Sequence, residues 1–157
     1  MKWLHKVIGE IQQGARVSGV PVVFLQHNGE ASYRVETGTP GGEIHAAIVP
    51  APGDIVLAEN SAGGYYGTDE TVRTVGVDHV VVTGYATDLC FGTTYRRGIS
   101  MGYDMTLVPD GHFTPDGGPP SFPAPEVRIQ WSNHVLPKAG NTDRTSQVKP
   151  AQEVRFT

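Results

Sequence analysis

The sequence predicts an α/β fold built on a parallel sheet, and three observations carry that reading. Residues 20–26 (VPVVFLQ), 55–58 (IVLA) and 80–83 (VVVT) are short, nearly uninterrupted apolar runs rich in β-branched residues, the mark of strands covered on both faces. Segments with helical spacing lie between and around them. Strands that alternate with helices run parallel, because a parallel connection needs a crossover of a dozen or more residues.

Taken in order, residues 3–17 place Leu4, Val7, Ile8, Ile11 and Ala15 at steps of three and four, one face of an amphipathic helix that Gly19 ends. The strand at 20–26 follows. Residues 27–53 are rich in Gly and Pro and read as a long loop or lid, with a brief helical turn around 44–48. A strand at 55–58, a short helix at 68–75 and a strand at 80–83 come next. Residues 88–101 predict a helix, 105–108 a strand, 125–136 a helix and 154–156 a last short strand. The Gly/Pro stretch 116–125 reads as a loop.

The chain has 157 residues, 38% hydrophobic and 18% charged, with 20 Gly and 12 Pro. That is one loop-rich domain over 1–157, outside the low-hydrophobicity, high-charge profile of disorder. A net charge of −4 without a basic run argues against nucleic acid and anionic membrane as partners. No run reaches the ~18 apolar residues of a membrane span. The single cysteine, Cys90, forms no disulfide within the chain and no thiolate metal cluster, which fits a reducing, cytoplasmic compartment.

In an open parallel sheet, ligands bind beyond the carboxyl ends of the strands. After the strand at 80–83 comes Gly84-Tyr85-Ala86-Thr87-Asp88-Leu89-Cys90, which places Cys90 in the first turn of the predicted helix. Free N–H groups and the macrodipole there favour a thiolate and lower its pKa, and the same N–H groups can hold an oxyanion. The alternative is that a lone Cys is a small buried hydrophobe. His27 and His112 each follow a strand and are candidate bases or ligands, or merely hydrogen-bonded loop histidines. Asp88 and Asp110 read as caps of turns or helix starts.

The string GYATDLC resembles the nucleophile motif of the isochorismatase-like cysteine hydrolases, the superfamily that includes nicotinamidases and N-carbamoyl amide hydrolases. Residues 18–27, GTPGGEIHAAIVPAPGDIVL (38–57), GYYGTD (64–69), GVDHVVVTG (76–84), GYDMTLVPDGHFT (102–114) and SNHVL (132–136) extend the likeness over almost the whole chain. The resemblance implies a three-layer α-β-α architecture with a mainly parallel, Rossmann-like sheet. It implies a hydrolase that cleaves an amide, carbamoyl or vinyl-ether bond of a small molecule through a thioester-type acyl-enzyme on Cys90. It further implies an oxyanion hole from the backbone N–H groups of Ala86 and Cys90, a cis peptide between Tyr85 and Ala86, and a pocket lined by His27, Tyr65, His112, Phe113 and the variable segment 28–43. No cofactor is implied, and no metal site is expected. Pairing through helices beside the nucleophile implies a homodimer or higher homo-oligomer.

The chain departs from the family pattern at four places. The family triad's Asp lies at the end of a first, central strand to which nothing here maps, so the sheet is expected to lack that strand and the domain to be N-terminally truncated relative to the family, with two strand edges left unpaired. The triad's Lys is replaced by Glu59, whose carboxylate would raise the Cys90 pKa rather than lower it. The serine-aromatic segment is Gly63-Gly64-Tyr65-Tyr66, and the tryptophan of the GTPGW pattern is Gly42, each exchange removing a side chain from the pocket. A catalytically silent homologue, a small-molecule binding or oligomeric scaffold protein, is the competing expectation.

Overall fold

The computed structural model describes residues 2–31, 34–60, 63–65, 67–140 and 143–157. Helix α1 (Lys2–Val17) buries Leu4, Ile8, Ile11 and Ala15, the face its spacing predicts. It ends where Gly19 takes a φ of 69° and Val20 N–H returns to the Ala15 carbonyl, a conformation cheap only for glycine. Strands β1 (Val23–His27) and β2 (Ile55–Glu59) pair in parallel, from Val23 opposite Ile55 to His27 opposite Glu59. Between them the loop makes one 3-10 turn at Ala46–Ile48.

Helix α2 (Asp69–Thr74) leads to β3 (His79–Tyr85), then α3 (Gly92–Ser100), β4 (Asp104–Phe113), α4 (Pro125–Val135) and β5 (Ser146–Val148). β4 lies between β3 and β5, parallel to both. Side chains alternate across this sheet. Met105 and Leu107 join Val80 and Val82 on one face, packed on Tyr95 and Ile99 of α3 and on Leu136. Val108 and Val81 join Ile11 of α1 and Val154 on the other. Helices thus cover both faces, giving the three layers.

Two predicted boundaries need correction. Residues 154–156 are not a strand: Pro150 starts a 3-10 turn at Ala151–Glu153, after which Val154 is buried in the core beside Phe156. The fifth strand is Ser146–Val148, pairing with Met105–Leu107 through its backbone. The helix expected from residue 88 is delayed to Gly92, because residues 87–91 form a wider turn, with Leu89 at φ −120°, ψ −110°.

The strands fall into two sheets, β1–β2 and β3–β4–β5. Among the described residues, β1 pairs only with β2 and β3 only with β4, so each has an edge without a ladder. A cleft of about 610 Å³ runs along both strands, lined among others by Val23, Leu25, Val80 and Val81.

Candidate functional site

Cys90 lies in the turn between β3 and α3, partly buried. The Tyr85–Ala86 peptide is cis, and the Ala86 carbonyl accepts from the N–H groups of both Leu89 (3.0 Å) and Phe91 (3.1 Å). The amides of Ala86 and Cys90 are turned toward the Cys90 sulfur, where they favour its anion. Gly92 is required by close approach, since a Cβ there would stand 2.8 Å from the Thr87 carbonyl oxygen.

Two networks fix this turn to the sheet. Thr87, fully buried, shares a 2.8 Å hydrogen bond with His112 Nδ1, and His112 Nε2 bonds Asn133 Oδ1 at 2.8 Å. With Asn133 accepting, Nε2 carries the proton and Nδ1 accepts from the Thr87 hydroxyl. On the exposed side, Arg128 donates to Asp88 at 2.6 Å, and the Thr114 hydroxyl donates to the other Asp88 oxygen. Burial alone would push the Asp88 carboxyl up, but these bonds outweigh it and hold the pKa below the usual range.

Glu59 closes β2 at 3% exposure, and its Oε1 has no hydrogen-bond partner among the described residues. Burial pushes its carboxyl pKa up, against the pull of His27, its neighbour across the ladder. Burial pushes the Cys90 thiol up as well, and the Glu59 charge adds to it, outweighing the two amides. The thiolate expected from a helix start is therefore not favoured in the resting site, because the helix begins after Cys90 and desolvation dominates.

The structure brings Cys90, Glu59 and His27 to one end of the two sheets. It separates other expected site residues from them. His112 is fully buried and stacked on Phe91 at 4.3 Å, with its pKa lowered by burial; it supports the turn and does not line a pocket for substrate. Tyr65 is core, 4% exposed and stacked on Tyr103. Its neighbour Tyr66 lies outside the described residues. Phe113 is half-buried and pairs with Tyr85. Asp88 is held by Thr114 and Arg128 instead of capping a helix, whereas Asp110 accepts from Ala151 N–H at 2.9 Å and does cap a turn. Gly42 is no mere lost side chain: a Cβ there would meet the Glu36 carbonyl oxygen at 2.4 Å, and its own carbonyl accepts from Gln26.

Sequence reasoning missed Thr87, Arg128 and Asn133. Their partners lie 25, 40 and 21 residues away, so no local spacing marks them. Among the described residues no three His, Cys, Asp or Glu side chains gather as metal ligands, and no helix is long and apolar enough to cross a membrane.

The Isochorismatase domain matches residues 4–119. A ureidoacrylate amidohydrolase of Variovorax paradoxus is 30% identical over 61% of this chain and 50% of its own. A streptothricin hydrolase of Streptomyces noursei is 31% identical over 65% of this chain and 41% of its own. The chain spans about half the length of the curated relatives it matches. Among solved structures, an isochorismatase of Pseudomonas putida superposes with a TM-score of 0.84 at 24% identity, covering 98% of this chain and 78% of that one. N-carbamoylsarcosine amidase of Thermoplasma acidophilum gives 0.75 at 22% identity, over 99% and 86%.

Proposed function

Since the chain belongs to the isochorismatase family, we propose that it hydrolyses an amide or N-carbamoyl bond of a small molecule through Cys90. The observation that carries this is that the amides of Ala86 and Cys90 and the charge of the buried Glu59 carboxyl all act on the Cys90 sulfur. The amidohydrolase and hydrolase activities named for the relatives agree with it.

In this reading Glu59 does what its replacement of a lysine at first argues against. With its pKa raised, Cys90 rests as the thiol beside the Glu59 carboxylate, so the nucleophile is made only as substrate arrives. The Cys90 sulfur bonds to the carbonyl carbon while its proton passes to the Glu59 carboxylate. The carbonyl oxygen becomes an anion held by the N–H groups of Ala86 and Cys90. Collapse breaks the C–N bond, and the leaving nitrogen takes the proton from Glu59. Water then gives a proton to Glu59, its hydroxide adds to the thioester carbon, and the thiol leaves with that proton.

The raised Cys90 pKa favours a second reading, in which the chain binds a small molecule without turning it over. Intact-mass measurement separates the two. With a panel of N-carbamoyl amino acids and small primary amides, the first reading expects hydrolysis with a transient acyl adduct that C90A lacks. Saturable binding with neither adduct nor product would replace it with the second.

A further inference from the structure

We propose that the site at Cys90 takes a cationic substrate: a small amide whose protonated nitrogen lies within a few bonds of the reacting carbonyl and donates to Glu59. The turnover of such an amide rests on the reading of Cys90 as nucleophile. The seat for its cation is argued from Glu59 itself.

The Glu59 carboxyl is a buried acceptor without a counter-charge. Its residue is 3% exposed, and Oε1 is shut off from water with no hydrogen-bond partner among the described residues. The buried or half-buried cations that could serve it are already committed. Arg128, which reaches the Cys90 turn, is paired with Asp88, and Arg16 is paired with Asp54. His27 stands opposite Glu59 in the ladder and pulls on it electrostatically, but burial outweighs that pull.

An acceptor that has lost its water without a replacement is costly, and more so when it carries a charge. A ligand that brings a positive N–H donor removes this cost and gains a charge-assisted hydrogen bond. A neutral amide of the same shape leaves Oε1 as it was. A carboxylate in the same place meets Glu59 as a like charge, so the three classes are ranked cation, neutral, anion.

The same cation acts on Cys90. Burial is the first cause of the raised thiol pKa and the Glu59 charge the second, so a positive group seated on Glu59 offsets the second cause and lowers the thiol pKa. It makes the carboxylate a weaker base too. Both groups move in the same direction, so the proton still passes from sulfur to the carboxylate oxygen that the ligand does not use.

The test uses three primary amides of equal chain length: β-alaninamide, which ends in an ammonium, butyramide, which ends in a methyl, and succinamate, which ends in a carboxylate. On C90A, calorimetry should find β-alaninamide bound about tenfold or more tighter than butyramide and succinamate weakest, with the order lost when Glu59→Gln is added. On the unmutated chain, which needs no variant to fold, saturating propylammonium should lower the apparent thiol pKa seen in Cys90 alkylation, and propionate at matched ionic strength should not. Equal affinity for β-alaninamide and butyramide, an order that survives Glu59→Gln, or a thiol pKa that propylammonium leaves unchanged would overturn the proposal. Turnover separates it from the catalytic reading. Preferred binding of β-alaninamide with no release of β-alanine and ammonia keeps the cation seat and removes Cys90 as nucleophile, whereas hydrolysis of butyramide and succinamate as fast as of β-alaninamide keeps the nucleophile and overturns the cation seat.

Discussion

The hydroxyl of Thr87 lies 2.8 Å from Nδ1 of His112, joining the turn that carries Cys90 to the end of β4. Both residues are fully buried, so the bond has no water to replace it. Thr87→Val keeps the shape but leaves His112 Nδ1 without a donor, at a cost of about 1–3 kcal/mol. Urea unfolding should show that loss, and Cys90 should react faster with iodoacetamide as its turn loosens.

The same histidine makes stability depend on pH. Burial lowers the His112 pKa in the folded chain, so below about pH 6.5 the unfolded chain binds a proton that the folded chain does not. Stability is full above that pH and falls as the pH drops toward the folded pKa. Asp88 and Asp54 act lower. Asp54 is held down first by its hydrogen bond from Arg16 and Asp88 by Thr114 and Arg128, so their contributions are present above about pH 4 and vanish as the pH falls through the folded values. His112→Gln should flatten the upper window only. Urea midpoints from pH 3 to pH 8 check both.

Glu59 and Cys90 give the third prediction. Glu59→Gln removes the charge that adds to burial in raising the thiol, so the apparent Cys90 pKa should fall while hydrolysis of an amide substrate also falls, because the proton acceptor is gone. Alkylation rate against pH, beside turnover, reads the two. A lower pKa with unchanged turnover would remove Glu59 from the mechanism.

How far the site was legible follows from where its bonds run. α1, β1 and β3 are written in local period and β-branching. Cys90 is marked by its motif. β5 was not readable because Ser146-Gln147-Val148 holds its place by backbone pairing with β4 rather than by an apolar run, and 154–156 misled because its apolar residues pack without a ladder. The role of His112 was misjudged for a related reason: a position after an apolar strand suggests a ligand, whereas burial and bonds to Thr87 and Asn133 belong to the tertiary structure alone. The expected unpaired edges came from motif order; among the described residues β1 pairs only with β2 and β3 only with β4.

Three glycines separate backbone propensity from space. In a helix interior Gly→Ala is worth about 0.5–1 kcal/mol of stabilisation when the new methyl meets nothing. At Gly9, within α1, no atom stands within 4 Å of a built Cβ, so Gly9→Ala should stabilise by that amount. At Gly98 the Cβ would meet Met105 Sδ at 2.6 Å and the Tyr65 hydroxyl at 3.0 Å. Both are side-chain atoms, and Met can repack, so the gain is cancelled or mildly reversed. At Gly92 the atom met at 2.8 Å is the Thr87 carbonyl oxygen, part of the turn itself, which cannot move without displacing Cys90. Gly92→Ala should therefore lower the urea midpoint and change the rate of Cys90 alkylation, whereas Gly9→Ala should raise the midpoint and leave that rate alone. An unchanged rate in Gly92→Ala would mean that Cys90 does not depend on the closeness of Gly92 to Thr87.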